Sequence, residues 1–423
     1  MKSKLKSLLS PSTLSSLQLF QLTRYSGFVV IGISFAKLGI PKTAIGHFES
    51  FLWLMGLFSF FWIAGLMNSM LAIYPGHTPE GKKKLLFATF CLILMLSVIA
   101  GIVQLFVGGS MIGLAYLLFN NASYVIEYIF FLNDKRRPLL IYGASMALLQ
   151  IILCAGPAYI YGDVQWSIYG LLGVAVVKFI YIAYLLRSHT TTIYERKRVS
   201  ELFILSLPLM LSFFVNGSAE YIDGAVVKHF FTLADFSVFR YGSREFPLFT
   251  IVAATLSMSM IPRVAGHLSD GLAAIKRESL RYMHFFFPLA IVLILCGHWL
   301  FTVFFSAQFE QSGRIFAALM LLTIPRLLFP QTILTALKEN RIILYCAIFE
   351  MFINIVASIV LARYYGLIGV AYGTLVAFVA EKVLMAAVLY IKHEIIFTKY
   401  VAIVPFAIYS IILCISYILS LYF

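Results

Sequence analysis

The sequence predicts an all-α polytopic membrane protein, and three observations carry that prediction. The 423-residue chain is 61% hydrophobic and only 12% charged, with a mean hydropathy of +0.94. Soluble domains carry about a quarter charged residues, so lipid must be the solvent for much of this surface. Apolar stretches of bilayer-spanning length recur along the whole chain, and the short connections between them alternate in charge.

A spanning helix needs about 20 mostly apolar residues. Thirteen stretches qualify: residues 18–38, 51–73, 85–106, 110–131, 139–161, 166–186, 201–222, 243–261, 283–304, 315–336, 342–362, 367–391 and 401–421. Membrane β-strands would be about half as long and would alternate in polarity, which excludes a barrel. The first stretch is long and lacks a small-residue cleavage site, so it is expected to be a retained span and not a removed signal peptide.

The connections carry the net charge of +14. One side holds Lys2, Lys4, Lys6, Lys82 to Lys84, Lys135 to Arg137, Arg187, Arg196 to Arg198, Arg263, Lys276, Arg277, Arg281, Lys338, Arg341, Lys392 and Lys399. The other holds Lys37, Lys42, Lys228, Arg240, Arg244, Arg314 and Arg363. The first group is three times larger, and the positive-inside rule makes that side cytoplasmic. The basic balance is thus a membrane signature, and nucleic acid is not an expected partner. The N-terminus is expected in the cytoplasm.

Cys91, Cys154, Cys296, Cys346 and Cys414 all lie in apolar runs without CxxC spacing, and the eight histidines are scattered. No disulfide framework, metal centre or other cofactor is expected.

An internal repeat organises the chain. Tyr169-Gly170-Leu171-Leu172-Gly173-Val174-Ala175 at the sixth span matches Tyr365-Gly366-Leu367-Ile368-Gly369-Val370-Ala371 at the twelfth in six of seven positions. A weaker echo relates residues 37–48, after span one, to residues 228–239, after span seven. Two six-span halves that enter the membrane the same way round are parallel repeats, a transporter architecture. The expected organisation is a six-helix bundle over residues 1–190, a second over 200–392, and an additional transmembrane helix over 393–423. A cavity between two bundles, opened by alternating access, follows as an expectation.

Charged residues inside the membrane cost about 2.5–3.5 kcal/mol each on insertion scales, so each needs a partner, a pore or a function. Arg24, Lys178, Arg326 and Lys382 are the intramembrane cations. Arg326 lies between Pro325 and Pro330, where proline bends a helix. Arg24 shares a face with Gln18 and Gln21. Lys178 and Lys382 sit about 13 Å from the inner ends of their spans at 1.5 Å per residue, and Lys382 adjoins Glu381, which suggests an interhelical ion pair as its alternative role.

The acids fall on polar stripes. Span four carries Asn120, Tyr124, Glu127 and Tyr128; span seven carries Ser212, Asn216, Glu220 and Asp223; span eleven carries Glu350, Asn354 and Ser358. Each set shares one helix face. Such stripes line a polar path or join helices through hydrogen bonds, and for Asp223 the second role is expected. Glu127, Glu220 and Glu350 are the candidates for ion coupling.

Lys37-Leu38-Gly39-Ile40-Pro41, with Gly46 and Phe48, resembles the first-loop pattern of Wzx-type polysaccharide-unit flippases of the MATE-like exporter superfamily. Leu207-Pro208-Leu209-Met210, Ile222-Asp223 and Tyr365-Gly366-x-x-Gly369-x-Ala371 resemble that family too, and the resemblance covers spans one to twelve. It implies a multi-pass protein of the bacterial inner membrane that flips an undecaprenyl-diphosphate-linked oligosaccharide (an O-antigen, capsule or exopolysaccharide unit) to the periplasmic leaflet. The substrate is moved and not altered, so no enzyme activity is implied. Partners would be the lipid-linked oligosaccharide, membrane lipids, H+ or Na+ as coupling ion, and polysaccharide polymerase machinery.

Arg24, Lys178, Arg326, Lys382, Asn120, Tyr124 and Asn354 would bind substrate, since guanidinium forks suit phosphate oxygens. The family has twelve or fourteen spans, and the thirteenth here departs from it. One rival is a MATE-type drug or cation antiporter, disfavoured because span one carries Arg24 and no acid. Another is a membrane-embedded polysaccharide polymerase or ligase, disfavoured because no long outer loop is present. A peptidoglycan-precursor flippase is a third, a group that usually has fourteen spans.

Overall fold

The computed structural model describes residues 16–133, 135–189, 194–244 and 247–422. The basic N-terminal segment with Lys2, Lys4 and Lys6 lies outside them. The described chain is helical from end to end: α1 Ser16–Lys37, α2 Lys42–Leu57, α3 Phe60–Ile73, α4 Pro79–Phe106, α5 Met111–Ala122, α6 Tyr124–Leu132, α7 Arg136–Tyr161, α8 Gln165–His189 and α9 Arg196–Phe230, then α10 Leu233–Gly242, α11 Pro247–Gly266, α12 Leu268–Phe305, α13 Glu310–Met320, α14 Thr323–Arg326, α15 Pro330–Ala336, α16 Asn340–Tyr365, α17 Leu367–His393 and α18 Ile403–Ser420.

Among the described residues nine helices are long and apolar enough to cross a membrane, or eleven if each of two bent pairs is one span. The fold is that of a multi-pass membrane protein. Its outward faces are apolar, as lipid contact requires: Ile152, Ile180, Tyr184, Ile204 and Val383 are all exposed.

Three expected continuous spans are broken. The span expected at 51–73 is α2 and α3, bent by 43°, and it begins earlier, at Lys42. The span at 110–131 splits at Ser123, whose hydroxyl donates to Asn120 O at 2.6 Å. The span at 315–336 becomes α13, α14 and α15, with a 42° bend ahead of Pro330. There the missing N–H of proline ends one ladder and starts another. The expected span at 243–261 is α11, displaced toward Gly266.

The chain forms two compact units, one running to Gly217 and the other from Ser218. Their boundary falls inside α9. In the first unit Leu66, Met67, Met70, Ile93, Ile126 and Ile182 form a buried core. Small residues let α1 press on α7. Gly27 faces Ala147, and a Cβ at Gly143 would meet the Phe20 ring at 2.6 Å. In the second unit α16 and α17 form a tight antiparallel hairpin, and α18 is held to α12 by Tyr409, which stacks on Phe287 at 5.2 Å and meets His284 at 2.7 Å.

The matched heptapeptides do not act alike. Gly366 is the turn between α16 and α17, with φ +64°, whereas its counterpart Gly170 lies within α8 and is pressed to the backbone of Leu153. The close-packing role in the second hairpin passes to Gly369, which faces the backbone of Leu361.

Candidate functional site

In the first unit the crossing of α1 over α7 carries Arg24 to α6. Arg24 Nη1 donates to Glu127 Oε1 at 3.0 Å, and its guanidinium lies over the Tyr124 ring, 5.1 Å from the centroid. From α8, Lys178 Nζ approaches Asn120 Oδ1 on α5 at 3.5 Å, too long for a strong bond. Five of the sequence-predicted site residues therefore meet in one place. Two cations face one carboxylate, so with all three ionised the cluster is a net cation. Arg24 is 36% exposed at its side chain and Glu127 only 8%. The arginine is thus the group open to a ligand, and the glutamate backs it.

The break at Ser123 shapes this site. The expected single stripe of Asn120, Tyr124, Glu127 and Tyr128 is divided between α5 and α6. Asn120 turns to Lys178 while Tyr124 and Glu127 turn to Arg24.

The second unit holds a different arrangement. Asp223, in the C-terminal part of α9, is buried and accepts hydrogen bonds from Ser358 Oγ at 3.3 Å and from Thr374 Oγ1. Both hydroxyls also reach Val370 O, at 3.4 Å and 3.2 Å. Asn354 lies beside the aspartate, fully buried, with neither atom of its amide in a well-formed hydrogen bond. No basic side chain among the described residues forms an ion pair with Asp223. The hairpin crossing builds this cradle, because a Cβ on Gly373 would lie 2.5 Å from the Ser358 backbone.

The expected stripe of Glu350, Asn354 and Ser358 is realised as a buried face of α16. Glu350 is within electrostatic reach of Glu381, Lys382 and Asp223. Lys382 pairs with Glu381 at 2.7 Å, so its ion pair forms between neighbours on α17 and not between helices. Arg326 ends α14, its guanidinium 5.9 Å from the centroid of the Phe378 ring. Glu220, within electrostatic reach of Asp223, is exposed and bridges to Arg240 at 2.8 Å.

Thr374 is a cradle member that sequence reasoning did not single out, and Val370 entered only through the heptapeptide repeat. A threonine within an apolar helix carries little signal by itself. Its signal here is the register of α17 against α16, which the glycine spacing of Gly366, Gly369 and Gly373 hints at.

No protein family and no curated relative matches the chain. Solved structures do. The chain is similar to the lipid II flippase MurJ in an inward closed conformation, at a TM-score of 0.70 and 16% identity, with 96% of this chain and 97% of that one covered. It is similar to an outward-facing multidrug resistance MATE family transporter of the MOP superfamily, at 0.56 and 17%, covering 88% and 93%. A Vibrio cholerae MATE transporter, VcmN in its bent form, matches at 0.54 and 15%, covering 95% and 97%. The chain has the fold that MurJ and the MATE transporters share.

Proposed function

We propose that this protein is a flippase for a lipid-linked oligosaccharide, carrying a polyprenyl-diphosphate-linked sugar unit across the bacterial inner membrane by alternating access. The observation that carries this reading is the net cationic cluster of Arg24, Lys178 and Glu127 in the first unit. Its exposed member is an arginine braced by an aromatic ring. Guanidinium binds phosphate oxygens through paired N–H donors, and the asparagine and tyrosines around it suit sugar hydroxyls. The similarity in fold to a lipid II flippase supports the reading.

Ion coupling falls to the second unit in this account. A buried carboxylate with no ion-pair partner among the described residues, two hydroxyls, a backbone carbonyl and the neighbouring Asn354 amide are oxygen-rich chemistry for H+ or Na+. Glu350 lies within electrostatic reach of that cradle. A cation antiporter would use the same acids, so the two readings divide on the first unit, where the exposed charge is positive.

The test is export. Cells carrying Arg24→Ala as their sole copy should lose the surface polysaccharide that depends on this protein, and so should cells carrying Arg24→Ala with Glu127→Gln, in which the stranded carboxylate is neutralised. Full export by Arg24→Ala would exclude the cluster as the substrate site.

A further inference from the structure

Arg24 carries five N–H donors, yet among the described residues only Nη1 bonds a protein acceptor, a single oxygen of Glu127. An arginine fully committed to a carboxylate uses two parallel bonds. This pair is one-pronged, and the arginine side chain stays 36% exposed. The Tyr124 ring holds the guanidinium plane from a second direction, so Arg24 keeps its place without Glu127. The carboxylate has a second cation to turn to: Lys178, buried on α8, lies within electrostatic reach of it, and the lysine's own bond to Asn120 is a long 3.5 Å.

We propose that Glu127 is a resident competitor anion, held on Arg24 in the empty protein and displaced toward Lys178 when a diphosphate takes the arginine. The proposal rests on the flippase reading above. It assigns Glu127 a role in specificity: a ligand binds only if its charge and paired oxygens outcompete a carboxylate already in place. A diphosphate meets that condition better than a single phosphate, and a neutral sugar does not meet it. The geometry also explains why a site for an anion contains a buried acid. Without Glu127 the buried Lys178 and the part-exposed Arg24 would repel each other in the empty protein.

The experiment is direct binding of inorganic pyrophosphate and of inorganic phosphate to the purified full chain in lipid nanodiscs, by calorimetry. Glu127→Gln should bind pyrophosphate about tenfold more tightly than the natural protein, the equivalent of ~1.4 kcal/mol of competition removed. It should also discriminate less between pyrophosphate and phosphate. Glu127→Asp, one methylene shorter and still charged, should fall between the two, and it serves where Glu127→Gln fails to fold. Arg24→Ala should remove binding in every background.

If Arg24-dependent binding is present but Glu127→Gln and Glu127→Asp leave it unchanged or weaker, Glu127 is a fixed support and the inference fails while the flippase reading stands. If the natural protein and the Glu127 variants all fail to bind either anion, both fail together.

Discussion

Arg24 on α1 and Glu127 on α6, 103 residues apart, meet through one hydrogen bond of 3.0 Å. That contact converts two costly intramembrane charges into a one-pronged pair. Removing one partner of a buried pair strands the other and costs about 3–5 kcal/mol. Arg24 is one-third exposed, so solvent screening should bring the cost of Arg24→Ala to the lower end or below. The double variant Arg24→Ala with Glu127→Gln should recover thermal stability in detergent without recovering export. Stability and export returning together would make the pair purely structural.

The Asp223 cradle predicts a cation effect. Na+ or a fall in pH should raise the melting temperature of the natural protein in detergent, and Asp223→Asn should abolish that response with little loss of basal stability, since amide and carboxylate are near in shape. Thr374→Val should weaken it. An unchanged response in Asp223→Asn would move ion coupling elsewhere, with Glu350 as the next position to vary.

At the surface of the first unit, Glu195 receives Lys84 at 3.0 Å and Arg198 at 2.9 Å. These hydrogen bonds hold its carboxyl below the usual carboxylate range. A carboxyl depressed in the folded state contributes stability above its unfolded value and loses it as pH falls through the folded value. Glu195→Gln should therefore lower the melting temperature slightly at neutral pH. The gap should close below the ordinary carboxylate range. A gap that widens on acidification would contradict the assignment.

The two halves of the repeat should fail for different reasons. Gly366→Ala forces a side chain onto φ +64°, ψ −144°, a strain of about 1–3 kcal/mol. Gly170→Ala would put its Cβ 1.9 Å from Leu153 O, a packing clash costing about 1–3 kcal/mol. Enlarging Leu153's neighbours should worsen only the second, and truncating side chains around Gly366 should rescue neither.

The polar stripes divide what was legible in the sequence from what was not. Spacing at i, i+4 and i+8 was enough to bury Glu350, Asn354 and Ser358 on one face, because α16 is unbroken. It misled for Asn120 to Tyr128, because a serine that ends a helix looks like any other serine in an apolar run. The four cations were visible by their positions in apolar runs, whereas the ion pair of Lys382, expected between helices, forms with the adjacent Glu381. The Arg24–Glu127 pair was not visible, since nothing local links residues so far apart. Nor was the Asp223 cradle, which depends on how α9 meets the α16–α17 hairpin.

The most direct test of the central claim is flipping in proteoliposomes. Purified protein is reconstituted with a polyprenyl-diphosphate-linked oligosaccharide, and the sugar exposed on the outer leaflet is followed with an impermeant glycan-modifying enzyme. The natural protein should make lipid from the inner leaflet accessible, Arg24→Ala should not, and Arg24→Lys should do so only in part, because a point charge lacks the paired donors of guanidinium. Equal rates for the natural protein, Arg24→Ala and protein-free vesicles would contradict that claim.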